Sequence, residues 1–191
     1  PQMCKTLDEL HAISHPARWV LSENCRNYPI VGDTAAALSG FRRSIYSGYL
    51  RSGGSVKNYN LLFYQDTAGQ VEMLRNLLKQ FRSEGYKQRE IVLLSFCAPE
   101  VSVAAALMDK GVRLRPLWKS EDEIGYGSIH GFKGMESKIV IMTDVVLDDL
   151  QVHRTLFYVG MTRATESVRI LCDASSMKTL SGWITKGGDH A

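Results

Sequence analysis

The stretch Lys138-Ile139-Val140-Ile141-Met142-Thr143-Asp144-Val145 decides the fold class. Ile139 to Met142 are apolar without a break and three of them are β-branched, so the segment reads as a strand with neither face in water. Working outward, short apolar runs of the same kind recur at residues 59–65 (YNLLFYQ), 91–96 (IVLLSF) and 168–173 (VRILCD), and more weakly at 19–22 (WVLS). Residues 111–118 (GVRLRPLW) read as a further strand, and Pro116 places it at a sheet edge because proline cannot donate to a ladder.

Helical patterns fill the intervals. Val71, Leu74, Leu77, Leu78 and Phe81 recur at helical spacing and give one apolar stripe. Residues 32–45 read as a helix after Pro29, and residues 100–111 as one that Gly111 terminates. A further helix spans about 149–164. Strands apolar throughout, alternating with amphipathic helices, predict a parallel α/β sheet with helices on both faces. In such sheets ligands gather at the carboxyl ends of the strands.

Composition narrows the function classes. The chain has 191 residues, a hydrophobic fraction of 45% and a net charge of +3, which fits one domain and allows a polyanionic partner. Cys4, Cys25, Cys97 and Cys172 form no C-x-x-C pair, which argues against zinc and against a disulfide framework. No apolar run approaches the ~20 residues of a membrane span and no signal peptide is visible, so the chain is read as cytoplasmic. Residues 1–185 are expected to form one domain, with a frayed tail over 186–191. His11, His15 and His153 read as surface or capping groups, and Trp19, Trp118 and Trp183 as packing residues.

Three polar stretches carry candidate chemistry. In LSENCRN (21–27), Arg26 offers a planar, permanently charged donor fork suited to phosphate, or a surface cap. In GSIHGFKGMES (127–137), Gly131 and Gly134 flank Phe132-Lys133; His130 and Lys133 offer donors and Glu136 an acceptor pair, on what is otherwise a turn with solvated charges. In LFYVGMTRAT (156–165), Arg163 stands among small residues with no adjoining acid. Placed one helical turn past Tyr158 and Val159, it either pairs with a carboxylate inside the domain or points at an open face awaiting an anion.

Taken together and in order, these stretches resemble motifs IV, V and VI of superfamily 1 helicases of the UvrD/Rep type, over about residues 18–173. The resemblance implies the carboxyl-terminal RecA-like motor domain of a longer chain, with ATP bound in a cleft against an N-terminal RecA-like domain that holds the phosphate loop and Mg2+. It implies that Arg26 and Arg163 touch the γ-phosphate, Arg163 as an arginine finger. Gly134 and Glu136 match positions at the nucleotide, Glu136 through the ribose. Ser128, His130 and Lys133 fall on the side of the single-stranded DNA, with RNA as the alternative strand. Gln2 matches a γ-phosphate-sensing glutamine of motif III.

Two departures qualify the resemblance. Cys25 stands where the family has an aromatic residue before the arginine, which puts adenine stacking there in doubt. The sequence has no G-x-x-x-x-G-K-[ST], and its Asp-Glu pairs, Asp8-Glu9 and Asp122-Glu123, follow no apolar strand. The chain alone is therefore expected not to hydrolyse ATP. The interval from Arg26 to Ser128 has room for core elements only, so no large accessory insertion is expected. A competing reading is a helicase-derived nucleic-acid-binding or regulatory module without motor activity.

Overall fold

The computed structural model describes residues 22–41, 46–119 and 122–188. Gln2, the Asp8-Glu9 pair, Cys4, His11, His15, Trp19 and most of the strand expected at 19–22 lie outside the described residues.

Six strands form one sheet in which every pairing is parallel: β3 (Tyr59–Tyr64), β4 (Ile91–Ser95), β5 (Leu114–Pro116), β6 (Ile124–Ser128), β7 (Ser137–Val145) and β8 (Ala164–Asp173). Their order across the sheet is β3-β8-β7-β4-β6-β5. β5 stands at the edge, as Pro116 requires. A separate parallel pair joins β1 (Glu23–Asn24) to β2 (Gly48–Tyr49).

The helices are α1 (Pro29–Leu38), α2 (Thr67–Ser83), α3 (Val103–Asp109), α4 (Gln151–Met161) and α5 (Met177–Gly188). Alternate residues of each central strand go to opposite faces. Val92, Leu94, Val140, Met142, Val168 and Ile170 pack with α1, α4 and α5. Ile91, Leu93, Ile139, Ile141 and Leu171 pack with α2 and α3. This two-sided burial is why the strand runs are apolar without alternation.

Several boundaries move. α1 begins at Pro29, whose missing N–H costs nothing in the first turn. It stops at Leu38, well short of residue 45, because Gly40 takes φ +68° and the Phe41 N–H returns to the Ala36 carbonyl (2.9 Å). Gly111 (φ +80°) ends α3 in the same way, as expected, while 99–101 is a separate 3-10 turn.

β6 is absent from the sequence reading. Its motif IGYGS carries glycine where a strand signal would be, and a Cβ at Gly127 would lie 2.5 Å from the Leu117 side chain, so packing demands the glycine. α5 is likewise a finding of the structure; it buries Leu180 and Trp183 and carries the backbone on through Gly188. Between Arg26 and Ser128 the described residues hold core strands and helices and no inserted subdomain.

Trp183 packs as expected, but Trp118 does not: it is 77% exposed, because Leu117 beside it takes the inward position against Gly127. No described helix is long and apolar enough to cross a membrane.

Candidate functional site

β7 and β8 begin side by side. Ser137 is the register partner of Ala164, and the Ser137 N–H donates to the Arg163 carbonyl at 3.1 Å. The residue before each strand, Glu136 and Arg163, is therefore held at one point on the amino rim of the sheet.

Arg163 stands past the end of α4, in the turn into β8, and not on the helix as the sequence suggested. Thr162 caps α4, its hydroxyl donating back to the Tyr158 carbonyl (3.1 Å), and the ladder of β8 starts at Ala164. A crossover helix must return the chain to the amino end of the next parallel strand, so a residue in this turn falls on the amino rim.

Arg26 reaches the same point from the loop after β1, its Nε donating to Glu136 Oε2 at 2.8 Å. That loop is tied internally and to β8. Asn24 Oδ1 accepts from the N–H groups of Arg26 (2.9 Å) and Asn27 (3.0 Å). Asn27 Nδ2 then donates to the carbonyls of Thr162 (3.0 Å) and Ala164 (2.6 Å), the residues on either side of Arg163. Both asparagines are buried.

Arg51 adds a second clasp. Its Nη1 donates to the carbonyls of Arg26 and Thr165, each at 2.9 Å, and its guanidinium lies over the Tyr28 ring. Sequence reasoning passed over Asn24, Asn27 and Arg51. Asn-x-x-Asn was the available signal, but asparagines in a loop ordinarily make turns, and the partner carbonyls lie far along the chain.

Charge on the rim is unbalanced. Burial lowers the Arg163 pKa from its ordinary value, the neighbouring Arg26 charge lowers it further, and Glu136 opposes both. The guanidinium still stays cationic at working pH. Glu136 is engaged with Arg26, and Arg163 Nε is buried with no hydrogen-bond partner among the described residues. Leaving a buried donor of a charged group unmade costs about 1–3 kcal/mol or more. An anion that accepts from Nε removes that cost. The Arg26–Glu136 pair is 35% and 55% exposed, and a surface pair is worth only about 0–1 kcal/mol, so Glu136 can change partners cheaply.

The other predicted residues divide between two rims. Gly134 (φ +86°) lies near Glu136 on the amino side, with nothing within 4 Å of where its Cβ would be, so the backbone there is open to a ligand. Ser128 ends β6 on the carboxyl rim, its Oγ accepting from the Gly131 N–H (3.1 Å), and the exposed His130 follows it. Lys133, also exposed, lies on the connection that crosses from one rim to the other. The expectation that the chemistry gathers at carboxyl ends thus fails for Glu136 and Arg163, because both precede their strands. Among the described residues no group of three or more His, Cys, Asp or Glu side chains could hold a metal ion.

Comparison with known proteins finds similarity in part of the sequence and in the fold. Residues 126–171, from β6 through most of β8, match the UvrD-like helicase C-terminal domain family. No curated protein sequence matches the chain. Among solved structures, the C-terminal domain of a possible DNA helicase from Lactobacillus plantarum WCFS1 superposes with a TM-score of 0.59 at 16% identity, over 78% of this chain and 87% of that one. In the sequence of residues 126–171 and in the fold around them, the chain is similar to the C-terminal domains of UvrD-like helicases.

Proposed function

We propose that the chain is the second motor domain of an ATP-dependent superfamily 1 DNA helicase. The observation that carries this is Arg163, a half-buried cation whose buried Nε has no partner among the described residues, held by backbone on both sides beside Arg26 and Glu136. A domain with no anion to bind would gain stability by pairing or losing such a group.

In this reading Arg163 and Arg26 face the γ-phosphate, Glu136 the ribose, and Gly134 lets the backbone come close. ATP supplies the phosphoryl group whose transfer to water drives the motor. The phosphate loop and Mg2+ belong to an N-terminal RecA-like domain of the same protein, and the chain alone is inactive. Arg163 brings a fixed positive charge, already partly desolvated, to the place where charge develops on the transferred group. Ser128, His130 and Lys133 form part of the track for single-stranded DNA, read through its backbone with little sequence preference.

ATPase turnover of the intact helicase, with and without single-stranded DNA, tests the reading. Wild type should be stimulated by DNA, and Arg163→Ala should lose on the order of 10³-fold in turnover while still binding ATP. A folded Arg163→Ala protein that turns over like wild type sinks the motor reading and leaves a nucleic-acid-binding module without motor activity.

A further inference from the structure

We propose that a cationic groove on the α2–α3 face is a second nucleic-acid contact, taking the phosphate backbone of a strand away from the carboxyl-rim residues. The proposal rests on the nucleic-acid part of the function above.

The groove encloses about 390 Å³ between the second half of α2 and the turn that follows α3. Arg75, Lys79 and Arg82 form one wall and Lys110 and Arg113 the other; among the described residues no acidic side chain lines it. The α2 residues follow an i, i+4, i+7 spacing and so make one stripe about 10 Å long. Arg75 is half-buried and the other four are exposed.

What sets the groove apart is that five cations line it with no acid among them. Several cations elsewhere sit in ion pairs: Arg89 with Asp122 (3.4 Å), Lys138 with Glu90 (2.8 Å), Arg154 with Asp149 (3.4 Å) and Arg115 with Glu123. None of the five groove cations makes an ion pair or hydrogen bond among the described residues. The whole chain carries only +3, so with five unmatched positive charges here everything else is net negative. The groove therefore gathers more positive charge than the chain carries net.

The form of the groove selects the ligand. Its cations sit on flexible stems along two walls and do not converge on one point, as a single small anion would need. A backbone with phosphates at regular intervals can meet several of them at once, releasing a counterion at each contact. Protein partners anchor on apolar side chains in pockets, and the aliphatic residues Leu78 and Ile124 in this groove are buried. The groove opens at the amino end of β6, and Ser128 lies at the other end of that strand, about 13 Å away. A strand in the groove is thus a separate contact from one at Ser128 and His130.

Fluorescence anisotropy of a labelled oligothymidylate with this chain, titrated over a salt series, tests the proposal. Lys79→Gln/Arg82→Gln/Arg113→Gln should lower the slope of log K against log salt by about 2 and weaken binding roughly tenfold or more at low salt. Lys57→Gln/Lys138→Gln/Lys178→Gln removes the same charge elsewhere on the surface and should leave most of the affinity. Equal losses in the two triples would mean a diffuse field and overturn the groove. Displacement of the oligonucleotide by polyglutamate at equal charge concentration would also overturn it, in favour of an acidic protein segment. If the groove triple binds like wild type while Ser128→Ala/His130→Ala does not, only the groove falls. If wild type binds no oligonucleotide, the nucleic-acid part of the proposed function falls with it.

Discussion

Arg163 stands just before β8 and Arg169 within it, and burial is the largest force lowering the pKa of each. Only one of them is satisfied. Arg169, 6% exposed, donates from Nη1 to Ser167 Oγ (2.7 Å) and the Val168 carbonyl (3.1 Å), and from Nη2 to the Lys57 carbonyl (2.9 Å), with its guanidinium over the Phe81 ring. Arg163 keeps a buried Nε with nothing to bond among the described residues. Arg169 closes its accounts inside the domain, and Arg163 leaves one donor open. In sequence the two look alike, each a lone cation among apolar or small neighbours.

Exchanging the two sites is the strongest way to break that comparison. Arg163→Ala should cost on the order of 10³-fold in ATPase turnover of the intact helicase and leave the urea midpoint of this chain unchanged or raised. Arg169→Met should do the reverse, lowering stability by roughly 2–4 kcal/mol in urea unfolding, since a buried network is cut. If Arg163→Ala were the destabilising one, its charge would be structural after all.

Asn27→Ala sharpens the contrast from the backbone side. It leaves the Thr162 and Ala164 carbonyls unpaired and should cost about 1–3 kcal/mol in the same assay, with turnover falling as well because Arg163 is no longer framed. A double-mutant cycle with Arg26→Ala and Glu136→Ala should return a coupling below about 1 kcal/mol, as an exposed pair does. A larger coupling would mean that Glu136 is locked to Arg26 and not free for a ligand.

The smallest effect concerns two thiols. Burial pushes Cys172 up to about 12, so its thiolate is absent at pH 8, and any stability tied to that thiol is whole at neutral pH and lost only as pH rises toward 12. Iodoacetamide at pH 8 should therefore modify exposed Cys25 in the folded chain and Cys172 only after unfolding, read by mass spectrometry.

The sheet was legible because burial on both faces writes itself into the strands as unbroken apolar runs. The stripe from Val71 to Phe81 was legible for the related reason that one helix face is buried. β6 was not, because Gly125 and Gly127 contribute no side chain to read, and Gly127 gives packing room to Leu117. At the candidate site, Arg26, Glu136 and Arg163 could be named from their motifs. Their meeting on the amino rim could not, since it depends on where the crossover helix returns the chain. Asn27 escaped because the clasp it makes on Arg163 runs to two carbonyls more than a hundred positions away.

The clamp around Arg163 has a mechanical consequence. Its carbonyl is bonded to β7, the carbonyls on either side are bonded to Asn27, and β8 is an interior strand of the six. No loop is free to swing this guanidinium toward or away from a ligand. Beyond a change of rotamer, Arg163 can travel only when the whole sheet travels. A force applied to the arginine is thus passed to β7, β8 and the loop after β1, and a movement of those elements is carried to the arginine.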